Sequence, residues 1–224
     1  MGRPRVFDRD DLAVAGLAVV ARDGWAAVSV RAVAAELGVT PMALYRVVAD
    51  ARALRIAVAD AAAGPLVSGT GTGTGTGGAD GGGSGDGDDL LGGLERWAVD
   101  GYAHLGAYPG LASFVLATWT ELPGWLDVVE SLLARVAGHG LAGPEAVALV
   151  NAVFAYVLAR AQLRDAAAAA PRRRLAPVAA DPDRYPRIGA TLDEFTVART
   201  DRHFRYGLAA LAAGLRLAAP GPHG

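Results

Sequence analysis

Residues 29–45 read SVRAVAAELGVTPMALY, and the punctuation of this stretch decides the fold. Ser29 is a strong helix N-cap, Val30, Val33, Ala34 and Leu37 recur at helical spacing, and Gly38 stands where a left-handed residue ends a helix. The chain then restarts within two residues. Thr40 is placed to cap a second helix, Pro41 suits its first position because it has no N–H to leave unpaired, and Val39 stands where it can staple onto Leu44. So short a connection through Gly38, Val39 and Thr40 forces the helices to cross steeply. That is the helix-turn-helix geometry, which leaves the second helix free to enter a major groove.

The second helix divides into two faces. Leu44, Val47 and Val48 can point toward a small core, while Met42, Tyr45, Arg46 and Ala49 lie together on the other side. Tyr45 can donate to phosphate, Arg46 can reach a phosphate or a guanine edge, and Pro41, Met42 and Ala43 can touch thymine methyls. An exposed Tyr-Arg pair on a short helix equally fits ordinary solvated packing. The preceding residues supply a first helix. Asp8 is its cap, Asp10 and Asp11 favour its positive end, Phe7 and Leu12 stand at staple positions, Leu12, Ala15 and Val19 form the buried stripe, and Gly24 ends it.

With three helices in place, residues 5–48, RVFDRDDLAVAGLAVVARDGWAAVSVRAVAAELGVTPMALYRVV, resemble the N-terminal domain of the tetracycline-repressor (TetR) family of bacterial one-component transcription regulators. The resemblance implies an all-α protein, with a three-helix helix-turn-helix DNA-binding domain followed by a helical-bundle ligand-binding and dimerisation domain. It also implies a homodimer, a double-stranded DNA operator and a small-molecule effector, in a family where repressors predominate. It puts Arg31 at a base-contacting position and Thr40, Pro41, Met42, Ala43, Tyr45 and Arg46 on the recognition helix. The leading GRPR at positions 2–5 resembles the N-terminal arms of some members, which would place Arg3 and Arg5 along a narrow minor groove; a frayed terminus accounts for the same residues. The chain departs from the family pattern at Val47, where a His or Tyr is usual, and at Ala51, where a Lys usually opens the fourth helix. Arg52 and Arg55 stand close enough in that helix, behind Asp50 as its cap, to substitute as phosphate anchors.

Composition bounds the remainder. The 224 residues carry a formal charge of −2 and 52% hydrophobic residues, with no Cys, which excludes disulfides, thiolate catalysis and Cys-type zinc sites. No apolar run approaches the ~18 residues that span a bilayer, and Arg3 and Arg5 are followed by acids rather than a hydrophobic segment. The expected setting is therefore cytoplasmic, with no membrane partner. Residues 1–63 hold eight Arg against seven acids, a net +1. DNA affinity must come from local Arg placement and from two copies in a dimer rather than from bulk charge.

The stretch SGTGTGTGTGGADGGGSGDGDD at positions 68–89 has no apolar side chain larger than Ala and reads as a flexible linker, spanning on the order of 25 Å as a Gly-rich coil. The expected organisation is a head at 1–63, a linker at 64–89 that opens where Gly64 and Pro65 end the fourth helix, and a body at 90–224. A phosphate-cradling loop needs a Lys that this chain lacks, since all 21 of its Lys and Arg residues are Arg.

The body reads as helices over 90–107, 111–120 and 123–137. A longer one opens at Pro144 with the stripe Val147, Val150, Phe154, Leu158 and Ala161, and a last one covers about 191–217 with Phe204, Leu208, Leu211 and Leu215 on one face. Residues 171–189, with four prolines and an Arg172, Arg173, Arg174 run, read as a surface loop. In the last helix His203, Gly207, Ala210 and Gly214 form a small-residue stripe that permits close helix approach, within the chain or across a dimer. Family resemblance implies that the two last long helices make a four-helix dimer interface.

Trp97, Tyr102, His104, Phe114, Trp119, Trp125, Phe154, Tyr156 and Gln162 are spread over helices that could surround one cavity. Aromatic walls with a few polar groups describe both a pocket for an apolar or aromatic molecule and an ordinary aromatic core. Trp119 and Trp125 are the leading candidates, because the break at 120–123 should expose side chains that a continuous helix would bury. No cofactor motif, His pair or nucleophile elbow occurs, so the expectation is a regulator and not an enzyme. A helical ligand-binding or interaction protein with a weakened DNA head, suggested by Val47 and Ala51, is the alternative.

Overall fold

The computed structural model describes residues 7–67, 90–169, 181, 183–191 and 201–218, and among the described residues every regular element is helical. Arg3, Arg5, the stretch at 68–89 and the Arg172, Arg173, Arg174 run lie outside them.

Helix α1, Arg9–Asp23, begins as its sequence dictates. The Asp8 carboxylate accepts from the Asp10 and Asp11 amides, and the Asp11 carboxylate accepts from the Asp8 amide, completing a capping box. Its stripe of Leu12, Ala15, Val19 and Val20 is buried against α2, Val30–Leu37, and α4, Ala51–Ala61. Ser29 caps α2 through the Ala32 amide. Gly38 ends it at φ 69°, a left-handed conformation that costs glycine nothing.

Helix α3, Pro41–Leu44, is a single turn, shorter than the hydrophobic pattern suggests. Beyond it the backbone tightens into successive three-residue turns, Arg46 N–H to Ala43 O and Val47 N–H to Leu44 O, so Tyr45 and Arg46 sit on a turn that continues the helix. Thr40 occupies the N-cap position in extended conformation, but its side chain makes no capping hydrogen bond. Leu44 and Val48 are buried and Val47 is half-buried, as expected.

Gly64 and Pro65 do not simply terminate α4. They open a further short helix, α5, Gly64–Val67, whose Leu66 is buried against the body. A proline in a helix's first turn loses no hydrogen bond, so the same dipeptide that stops one helix can start the next.

In the body α6, Leu90–Gly106, α7, Leu111–Thr118, and α8, Pro123–Gly138, all pack on α9, Gly143–Ala169, and α5 lies on α6 and α8. Helix α9 is long and apolar enough over 143–166 to cross a bilayer by length and composition, contrary to the expectation of no such run. It is instead the body's central helix: Ala146, Leu149, Val150, Val153, Phe154, Val157, Leu158 and Ala161 are buried. Of the stripe expected along it, Val150, Phe154, Leu158 and Ala161 are in the core, but Val147 is 48% exposed. The helix is covered on more than one side, so its inward set is wider than one stripe and its register is not fixed by any single one.

The C-terminal helix, Asp201–Ala218, lies on α6 and α9 and buries Phe204 and Leu208. The Phe204 ring stacks on Tyr102 at 4.0 Å and on Tyr156 at 5.4 Å, so this helix is held by an aromatic sandwich. Where the sequence suggests only a loop before it, residues Pro186–Ala190 form a short helix.

Candidate DNA-reading face and head–body seam

The head presents an exposed face of mixed polar and apolar residues. Met42 is 73% exposed and Tyr45 49%, and Arg31, Thr40, Pro41 and Arg46 are exposed while Ala43 is half-buried. Arg31 lies in the first turn of α2 and the others on or beside α3, across the turn at Gly38. Behind this face, Arg22 at the end of α1 pairs with Asp23 and with Glu36 of α2, at 3.0 and 2.8 Å. The Glu36 bond, then Asp23, holds the Arg22 guanidinium more firmly charged than usual.

Arg52 and Arg55 are not on that open face. Arg52 is ion-paired with Glu121. Arg55 lies over the Trp25 ring at 5.3 Å and donates to the Trp25 carbonyl at 3.3 Å. Both are engaged where the head meets the body, so Arg55 in particular is not available as a phosphate anchor in this arrangement.

The seam is built from residues that carry no motif. The Asp60 carboxylate of α4 accepts from the Gly124 amide at 2.6 Å, so a head residue caps the positive end of α8. The Trp125 indole donates to the Ala59 carbonyl at 2.8 Å, and the His104 ring bonds the Ala62 carbonyl at 2.8 Å. The Trp25 amide donates to the Pro109 carbonyl at 2.8 Å. A Cβ on Gly124 would lie 2.9 Å from the Asp60 carbonyl oxygen, so only glycine lets α4 and α8 come this close.

The aromatic residues expected to ring one cavity separate into distinct sets. Trp119, Trp125 and Phe154 form one, with Phe154 edge-on to Trp119 at 5.6 Å and to Trp125 at 6.1 Å. Phe114 pairs with Trp25 of the head at 4.7 Å. Tyr102 stacks on Phe204, and the Arg164 guanidinium lies over the Tyr102 ring, 4.5 Å from its centroid. Trp97 donates to the Leu66 carbonyl at 3.2 Å, and Gln162 is half-buried on α9. The expectation that the break after α7 exposes both Trp119 and Trp125 is corrected. Residues Trp119–Glu121 form a 3-10 turn, Trp119 is half-buried, and Trp125 is 1% exposed, because α8 turns it under α4.

Over residues 85–218 the chain matches the family described as tetracyclin repressor-like, C-terminal domain. The chain belongs to the tetracycline-repressor family. Among solved structures, this tetracycline-repressor-like chain is similar to a possible TetR family transcriptional regulator from Streptomyces coelicolor A3(2), with 23% identity, TM-score 0.74, and coverage of 94% of this chain and 100% of that one. It is similar also to a TetR variant from Acinetobacter baumannii AYE in complex with minocycline, at 19% identity and TM-score 0.67, covering 96% and 100%. ActR from Streptomyces coelicolor in complex with (S)-DNPA matches at 18% identity and TM-score 0.67, covering 96% and 100%. No curated protein matches the sequence significantly. The family match covers the body, which carries the looser motifs, while the whole-chain likeness places the tetracycline-repressor fold over head and body together.

Proposed function

We propose that this protein is a homodimeric transcriptional repressor that holds a double-stranded operator through Arg31, Thr40, Pro41, Met42, Ala43, Tyr45 and Arg46, and is released by a small apolar or aromatic molecule. Arg3 and Arg5 extend the contact from the N-terminus, and residues 68–89, after α5, are the linker between head and body. The observation that carries the reading is the placement of the aromatic set beside the seam. Trp125 touches Phe154 on one side and bonds the Ala59 carbonyl of the head's α4 on the other. Asp60, next along α4, caps α8 through Gly124. A ligand that wedges among Trp119, Trp125 and Phe154 therefore shifts α8, and α8 moves α4 through these bonds. Two related structures hold small molecules, which fits a body of this kind acting as a receptor.

The dimer forms through α9 and the C-terminal helix, where Val147, Leu163 and Tyr206 remain exposed. At Gly207 a Cβ would lie 2.1 Å from the Tyr156 hydroxyl oxygen, so the small residue there serves packing within the chain.

Release requires that the ligand bind the DNA-incompetent arrangement more tightly, since equal affinity for both would shift nothing. The test is a paired titration of the full-length protein with hydrophobic aromatic compounds, following tryptophan fluorescence and affinity for its own upstream DNA. Quenching and loss of DNA affinity should rise together, with coupling of about 1–3 kcal/mol. Trp119→Ala should abolish both while sparing DNA binding. Quenching that persists in a Trp119→Phe, Trp125→Phe double variant would overturn the site.

A further inference from the structure

The chain holds no Cys and two Met, Met1 and Met42. Methionine is ordinarily a core residue, flexible enough to fill irregular gaps, but Met42 in α3 is 73% exposed. Its neighbours Pro41 and Ala43 are short, one exposed and one half-buried, so the thioether is open to reagents in solution. The indoles, which also react with strong oxidants, are covered: Trp25, Trp97 and Trp125 are buried and Trp119 is half-buried. With no thiol to react first, an oxidant that reaches the described residues meets Met42 before any other sulfur. Tyr45 and Arg46 stand three and four residues beyond it, the spacing at which side chains on a helical turn meet. Neither side chain makes a hydrogen bond or ion pair with another described residue.

We propose that Met42 is a reversible oxidation site, converted to its sulfoxide by hydrogen peroxide or hypochlorous acid, and that the modification weakens operator binding. The second half rests on the reading that the face around Met42 meets DNA. In the oxidation the sulfur lone pair attacks the electrophilic oxygen, and an S–O bond forms as the O–O or O–Cl bond breaks. Sulfur gives up one electron pair, and the rest of the reagent leaves as water, or as chloride and a proton. Reductases specific for each sulfoxide epimer reverse the step, a dithiol being oxidised to a disulfide while the oxygen departs as water. The effect on DNA follows from polarity. A thioether offers apolar contact to a thymine methyl, whereas a sulfoxide adds a polar acceptor and no donor. Against a methyl that acceptor is left unpaired, and against a phosphate it is repelled. It can instead accept from Arg46 or Tyr45 on the same turn, which takes up donors that would otherwise hold phosphate.

The test compares the full-length protein with itself before and after treatment with hydrogen peroxide or hypochlorite, the reagent being removed before titration against its own upstream DNA. Peptide mass spectrometry should find Met42 sulfoxide ahead of any modified Trp. Affinity should fall by at least about tenfold for the dimer, equivalent to ~1.4 kcal/mol, since each subunit leaves an acceptor unpaired. The two epimer-specific reductases together should restore both the peptide mass and the affinity. Reagent added to the protein–DNA complex should modify Met42 more slowly than in free protein. Met42→Leu, whatever its own affinity, should bind equally before and after treatment, which also separates Met42 from Met1. Untreated protein that does not bind the DNA overturns the proposed function, and the switch with it. With that binding present, the proposal is overturned by a Met42 that stays reduced while Trp119 is modified, by oxidised Met42 with unchanged affinity, by a loss that Met42→Leu shares, or by a loss that the reductases do not reverse.

Discussion

Arg52 in α4 is ion-paired with Glu121, 69 residues further along the chain in the turn between α7 and α8. One is a head residue and the other a body residue two places beyond Trp119, so the pair sets a body carboxylate in competition with any phosphate that Arg52 could reach. Both side chains are largely exposed, 65% and 48%, and such pairs contribute at most about 1 kcal/mol. Glu121→Gln should therefore tighten operator binding by up to about fivefold per subunit. A gel-shift titration that finds affinity unchanged or weakened would show that Arg52 has no part in DNA contact.

The exposed pair Tyr45 and Arg46 gives a second expectation. Neither is in the core, so Tyr45→Phe and Arg46→Ala should weaken operator binding with helical content and dimer intact. Removing one phosphate interaction should flatten the slope of log K against log salt by about 0.9. An unchanged slope together with unchanged affinity for both variants would show that this face does not meet DNA.

Helices α1 and α4 meet at Gly16. A Cβ there would lie 2.1 Å from a Val58 γ-methyl and 3.1 Å from its Cβ, and a valine in a helix is nearly fixed in χ1, so it cannot turn away. Overpacking of this kind costs about 1–3 kcal/mol, against about 1 kcal/mol gained in helix propensity from Gly to Ala. Gly16→Ala should be net destabilising in urea melts, and Gly16→Ala with Val58→Ala should be more stable than the two single effects added. Strict additivity would mean the two residues do not compete for the same space.

Tyr156 supplies a pH dependence. Burial raises its hydroxyl above the usual 10.0, opposed by Arg160 and assisted by Tyr102, and the hydroxyl donates to the Phe204 carbonyl at 2.9 Å. Below pH 10 folded and unfolded chains both keep the proton, and this group adds no slope. Above it the unfolded chain ionises first, so stability falls with rising pH until the folded state also titrates. Tyr156→Phe should lose stability at neutral pH and show a shallower decline above pH 10 than the wild type. Parallel alkaline profiles would assign that decline to other groups.

The local frame of the head was legible in the sequence because each signal acts within four residues. Asp8 caps amides two and three places on, Ser29 caps the amide three places on, Gly38 turns the chain by its own left-handed φ, and Leu12, Val19, Val33 and Leu44 declare their burial by spacing. The helices of the body were legible for the same reason, since Pro109, Pro123 and Pro144 stop or start them wherever they pack. What only the tertiary structure decided is which side of a well-covered helix faces in and which residues meet across the seam. Val147 points out and Trp125 points under α4. Asp60 finds Gly124, 64 residues away, and Arg52 finds Glu121. A hydrogen bond between distant residues leaves no periodicity, and a carboxylate that caps another helix looks, along the chain, like any solvated acid. Those contacts exist only once α4 and α8 are brought together, and their geometry comes from how closely two helix backbones can approach at a glycine.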